Sequence, residues 1–293
     1  MKLKKENSKL ETIPKIAFFG TPELVVPILD ELKMNGFIPL LVVTAPDKPQ
    51  GRGLALTPPP AKIWGEKNDV LVLQPERLDS EFCRRLSAMS FDLFIVIAYG
   101  KILTQEMIDI PKFGTFNIHY SILPKYRGAT PVESAILNGD KETGVSMQKM
   151  VLELDAGPLV ALEKTTVGEN ETSPELLVRL NDIGRKLLIE TIPGIMNGTA
   201  TYHEQDRAET TLTKKITKEN GLIDINEPPI KNYRKYLAYF GWPGTCFFTK
   251  RKNGDFTRVT IKNAAFENND FVIKRVLPEG KKEMDYRDFL RGL

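Results

Sequence analysis

Cysteine is nearly absent: only Cys83 and Cys246 occur in 293 residues, far apart and without metal-type spacing. That excludes a disulfide framework, implies no zinc site and fits a reducing compartment. Long hydrophobic runs are missing too, and no stretch nears the roughly 20 apolar residues that span a bilayer. Residues 1–14 have no apolar core and no arginine, and they carry Glu6 and Glu11. They read as a flexible tail rather than a secretory signal or a mitochondrial transit peptide. The expected setting is cytoplasmic, with no membrane partner.

Two glycine signatures are also absent. The first strand–helix turn is Phe19-Gly20-Thr21-Pro22-Glu23, not Gly-x-Gly-x-x-Gly, which argues against a bound dinucleotide. No Gly-x-Ser-x-Gly elbow or reactive cysteine is found, so an enzyme-bound acyl intermediate is not expected. Internal repeats and low-complexity tracts are lacking as well.

What is present describes an ordinary globular protein, 41% hydrophobic and 27% charged, long enough for two domains. The net charge of +3 is unevenly spread. Residues 206–293 hold 18 Lys/Arg against 12 Asp/Glu, a balance of +6, which leaves −3 for the rest. A basic second part suggests a polyanionic partner, although scattered surface lysines explain a charge of this size equally well.

From Lys15 onward, apolar runs alternate with helical segments. Strands are expected at 16–19, 38–44, 70–73 and 93–98. Thr21 is expected to cap a helix that has Pro22 at its first position and runs to about Met34, and Ser80 to cap another to about Met89. Continuous apolar strands separated by helices indicate a Rossmann-like parallel sheet covered on both faces. The connection at 45–60 is long, and its Lys48 and Arg52 beside Gly51 and Gly53 form either a basic finger or a proline-stiffened surface loop. Further on, a helix at 131–138, a strand at 145–150 and a long amphipathic helix from Ser173 are expected. An irregular linker at 205–217 leads to a helix at 231–239, three strand-like runs at 245–250, 257–262 and 271–276, and a short terminal helix from about 285. This last part reads as a small α+β or β-barrel-like module.

The stretch 113–134 organises the rest. Thr115 to Tyr120 is a short β-like run, so Asn117 and His119 share a face near its end, where a parallel sheet collects its ligands. An amide N–H beside an imidazole suits a carbonyl oxygen that turns into an oxyanion. Asp155, in Leu154-Asp155-Ala156-Gly157-Pro158, offers a carboxylate at a small-residue turn. A polar strand edge and an ordinary Asp-Ala-Gly turn are the plainer readings. With no Gly-x-Ser-x-Gly elbow or reactive cysteine beside these residues, direct acyl transfer between two bound substrates is the chemistry left.

The motifs Phe-Phe-Gly-Thr-Pro-Glu, Ala-Pro-Asp-Lys-Pro-x-Gly-Arg-Gly, Ala-Tyr-Gly-Lys-Ile-Leu, Asn-Ile-His-x-Ser-Ile-Leu-Pro-x-Tyr-Arg-Gly-Ala-x-Pro and Leu-Asp-Ala-Gly-Pro closely resemble the methionyl-tRNA formyltransferase family. The resemblance runs from about Lys15 to the end. It implies a formyltransferase catalytic domain at 15–204, a linker at 205–217 and an OB-like tRNA-binding domain at 218–293. It makes Asn117, His119 and Asp155 the catalytic set and gives the loop Ser121, Ile122, Leu123 and Pro124 to 10-formyltetrahydrofolate, a co-substrate. Lys48 and Arg52 would meet the acceptor stem of initiator methionyl-tRNA. No metal is implied, and a monomer is expected. Two departures stand out: Leu54-Ala55-Leu56 occupy positions where the family often has lysines, and only three clear strand runs follow Gly241, so the barrel is expected to be trimmed or open. The competing readings are a folate-dependent formyltransferase for a sugar nucleotide or purine precursor, and a non-catalytic tRNA-binding protein of the same fold.

Overall fold

The computed structural model describes residues 13–50, 54–252 and 254–293. Most of the expected tail, and Arg52, lie outside these residues. In chain order the first elements are β1 (Ile16–Phe19), α1 (Val26–Met34), β2 (Leu41–Val43), β3 (Lys48–Gln50), β4 (Ala55–Thr57), α2 (Pro60–Lys67), β5 (Leu71–Leu73) and α3 (Ser80–Ala88). Next come β6 (Leu93–Val96), α4 (Gln105–Ile108), β7 (Thr115–His119), α5 (Pro131–Asn138), β8 (Glu142–Lys149), β9 (Leu159–Thr166) and α6 (Ser173–Met196). A seven-stranded sheet takes the order β5-β2-β1-β6-β7-β8-β9. It is parallel from β5 through β7 and turns antiparallel at β7–β8.

The apolar runs explain the centre of this sheet. Phe18, Phe19, Phe94 and Phe116 are fully buried, each favouring the folded state by about 1.5–3 kcal/mol over exposure. On one face Phe19, Val43, Phe94 and Val96 pack with Phe82, Cys83 and Leu86 of α3. On α2, a Cβ at Gly65 would stand 2.5 Å from a methyl of Val72, so the missing side chain lets the helix lie close on the sheet.

The chain divides into two compact units. The first holds residues 1–127, 144–164 and 179–211; the second holds 128–143, 165–178 and 212–293. In the second unit α7 (Pro229–Ala238) packs on α5. There, β10 (Thr245–Lys250), β11 (Phe256–Glu267), β12 (Asp270–Pro278) and β13 (Met284–Asp285) form an antiparallel sheet in that order, followed by α8 (Tyr286–Arg291). Tyr233 and Tyr236 of α7 lay their rings against Phe266 and Phe271 at 5.7 and 6.3 Å. The small β module is present, and among the described residues its first and last strands are not paired, so the sheet is open with four strands rather than a closed five-stranded barrel.

Several local expectations shift. Thr21 does not cap a helix: its hydroxyl accepts from the Ala45 amide at 3.3 Å and donates to the Tyr99 carbonyl at 3.4 Å, and a 3₁₀ turn, Glu23–Val25, precedes α1. Asp79, not Ser80, caps α3 by accepting from the Phe82 amide at 3.0 Å. Within the long connection at 45–60, β3 and β4 pair antiparallel, Lys48 with Thr57 and Gln50 with Ala55. At its base Asp47 binds the Lys62 ammonium at 2.8 Å and the Gln74 amide at 2.7 Å, which hold its carboxyl below the usual range. Strand β9 went unforeseen because it is an edge strand with no buried residue and no clean alternation. One-turn α4 is too short to show a period.

Candidate active site

Asn117 and His119 lie at the carboxyl end of parallel strand β7, facing Gln148 and Ser146 across the β7–β8 ladder. Directly opposed residues share a face, so register joins these four side chains into one group. His119 is 6% exposed. Its Nε2 stands 2.9 Å from the Tyr126 carbonyl, which can only accept, so Nε2 carries a proton. Nδ1 then faces Asp155 Oδ2 at 3.6 Å, and a proton gained there becomes an N–H directed at the carboxylate. Asn117 differs: it is half-buried, and its amide has no hydrogen-bond partner among the described residues.

Asp155 sits in the left-handed region at φ 48°, which costs a non-glycine residue about 1–3 kcal/mol unless its surroundings hold it. Gln148 donates to Asp155 Oδ1 at 2.9 Å while its own Oε1 accepts from the Gly157 amide at 3.2 Å. Gln205 donates to the carbonyls of Asp155 and Gly157 at 2.9 and 2.7 Å. Arg127, 3% exposed, in turn donates from Nε and Nη2 to Gln205 Oε1 at 3.1 and 2.8 Å, and from Nη1 to Glu153 at 3.1 Å. A Cβ at Gly157 would collide with the Lys149 carbonyl, so this turn closes only on glycine. Gln148, Gln205 and Arg127 therefore fix where the carboxylate points. Sequence reasoning missed all three; alternation along β8, which puts Gln148 on the face of Ser146, was the one available signal.

The loop after β7 is built from within. Ser146 Oγ donates to the Ser121 carbonyl at 2.6 Å and accepts from the Leu123 amide at 3.1 Å, and Ser121 Oγ donates to the Lys125 carbonyl at 2.6 Å. Ser121 and Leu123 are buried, while Ile122 and Pro124, the latter after a cis peptide, are half-buried. A ligand here would meet main chain, Ile122 and Pro124 rather than the Ser121 hydroxyl. Lys48 is exposed on β3, and Arg52 lies outside the described residues. Among the described residues no three His, Cys, Asp or Glu side chains gather as metal ligands would.

The arrangement offers a free amide donor, an imidazole and a carboxylate held by a buried amide and guanidinium network, which can stabilise an oxyanion and move a proton. Residues 14–192 match the family described as formyl transferase. The chain is 41% identical over 230 residues to a methionyl-tRNA formyltransferase of Halorhodospira halophila, covering 78% of this chain and 74% of that one. To a methionyl-tRNA formyltransferase of Thermus thermophilus it is 39% identical over 267 residues, 91% and 86% of the two chains. Among solved structures, an N-formyltransferase of Helicobacter canadensis in complex with folinic acid and dTDP-3-aminofucose shares the fold, with a TM-score of 0.64, 20% identity, and coverage of 89% and 95%.

Proposed function

The chain belongs to the methionyl-tRNA formyltransferase family, and from that premise we propose that Asn117, His119 and Asp155 carry formyl transfer to the α-amine of methionyl-tRNA. The formyl donor is a folate, which we take to be 10-formyltetrahydrofolate as a co-substrate. In this reading the amine attacks the formyl carbon directly. Asn117 donates to the developing oxyanion, and the free state of its amide is the observation that carries the proposal. His119, with Asp155 beside Nδ1, supplies the second charge-stabilising group. As the tetrahedral species collapses, the bond from carbon to the folate nitrogen breaks, and the proton lost by the amine is passed to that nitrogen. Asp155 holds the imidazole and assists this proton.

The loop 121–124 supports a folate whose ring system lies on main chain, Ile122 and Pro124. Lys48 and Arg52 reach the acceptor end of the tRNA, and the basic residues of 206–293 hold phosphates further along. The reaction belongs in the cytoplasm, carried out by a monomer. Incubation with methionyl-tRNA and 10-formyltetrahydrofolate should add one formyl group to the aminoacyl product, read by mass. An amino-sugar nucleotide or purine precursor as the only formylated acceptor would sink the proposal.

A further inference from the structure

We propose that the open face of β10 and β11 is a stacking surface for unpaired nucleotides of the tRNA, an inference that rests on tRNA being the substrate. In the antiparallel register Phe248 faces Arg258, and Lys250 faces Phe256. Residues two apart share a face, so two rings and two cations form a checkerboard, each ring beside a cation and diagonal to the other ring. Phe248 is 56% exposed and Phe256 72% exposed. The reverse face is the packed one: Phe247, Thr257 and Val259 are buried, and Phe247 meets the ring of Tyr286 edge-on at 6.2 Å. The two phenylalanines are thus not part of this unit's core.

Charge decides what covers them. Residues 245–262 hold five Lys/Arg and one acid, Asp255. Arg258 is braced by its Nε contact to Cys246 Sγ at 3.1 Å. Beyond it the face dips into a recess of about 210 Å³ lined by Arg258, Thr260, Leu277, Glu279 and Lys281. An apolar partner would gain nothing from cations set between the rings, whereas a single strand presents a flat base and a phosphate at each step. A paired helix buries its base faces in its own stack, so the rings recognise unpaired nucleotides while the cations serve either form.

The test uses the full chain and two labelled RNAs, a single-stranded oligomer of about eight nucleotides and a fully paired blunt-ended duplex, with affinities read by anisotropy at several salt concentrations. Phe248→Leu and Phe256→Leu keep an apolar side chain at an exposed site, so the melting temperature should not move. Each should weaken binding of the oligomer roughly ten-fold, in line with loss of one stacked base. The salt slope and duplex affinity should stay unchanged, and Phe248→Trp should retain binding. With methionyl-tRNA the leucine variants should raise KM and leave kcat alone. Wild-type affinity in both leucine variants, or an equal loss on the duplex, overturns the inference. Formylation by the wild type is read separately: turnover without a leucine effect overturns this inference alone, while a leucine effect without turnover sinks the formyl-transfer reading and supports the surface as an RNA binder.

Discussion

The polar groups at the end of β7 and β8 are almost all engaged, whereas the open face of β10 and β11 leaves two rings and a lysine uncovered. Around Asp155 one guanidinium and two amides are each held at hydrogen-bond distance, whereas the Asn117 amide has no hydrogen-bond partner among the described residues. On the sheet face, Phe248 and Phe256 are 56% and 72% exposed. Chemistry on one carbonyl needs donors that do not reorganise, while a polymer needs area and charge that tolerate variation. Fixed geometry and adaptable contact are thus built from different residue types.

That contrast can be broken first at the pair His119 and Asp155. Each alanine variant should lower kcat by roughly 10²–10⁴, and the double variant should be little worse than either single one. Losses that multiply would mean the two act independently. Asn117→Ala should cost kcat roughly 10²–10³ with tRNA affinity preserved, and a variant near wild-type kcat removes Asn117 from the mechanism.

The network behind Asp155 comes next. Gln205→Leu releases the Asp155 turn and should reduce kcat by roughly ten- to a hundred-fold at similar KM. Combined with Asp155→Ala it should add nothing, since its whole effect passes through that carboxylate. A full additional loss would assign Gln205 a different role. On the binding side, Arg52→Gln should lower kcat/KM and flatten the salt dependence of tRNA binding by about one counterion; an unchanged slope would remove Arg52 from phosphate contact.

The smallest effect concerns Glu133. Burial pushes its carboxyl up, so the folded chain keeps the proton to higher pH than the unfolded chain does. Its stabilising contribution is present below the ordinary glutamate pKa and is lost as pH rises through the folded value. Glu133→Gln should therefore raise Tm by a degree or two at about pH 8 and by nothing at about pH 4. A gain that persists in acid would trace to packing instead.

How far the sequence reaches follows the same division. Asn117 and His119 were legible because two residues on one strand share a face whatever surrounds them. Asp155 was legible as an acid at a turn, although its left-handed backbone was not. Alternation along β8 places Gln148 on the face of Ser146 but only the β7–β8 register sets it opposite Asn117, and the link from Arg127 to Gln205 spans 78 positions and leaves no local pattern. The buried strands were read within two or three residues at their ends. Caps went astray where a neighbour offered the better acceptor, Asp79 for Ser80, and where tertiary contacts claimed the hydroxyl, as with Thr21.

The second unit is threaded from three separate pieces of chain, and that affects its assembly and its manipulation. Helix α5 is made early, yet its α7 partner, and the Thr213 hydroxyl that accepts from the Thr130 amide at 3.1 Å, emerge some eighty or more residues later. During synthesis the segments 128–143 and 165–178 must wait, with apolar faces uncovered, until the last third of the chain arrives. The same threading means that cutting the chain at 206 yields no trimmed enzyme: it strands α5 without α7, on which it packs. The module therefore cannot be moved as a single cassette between proteins.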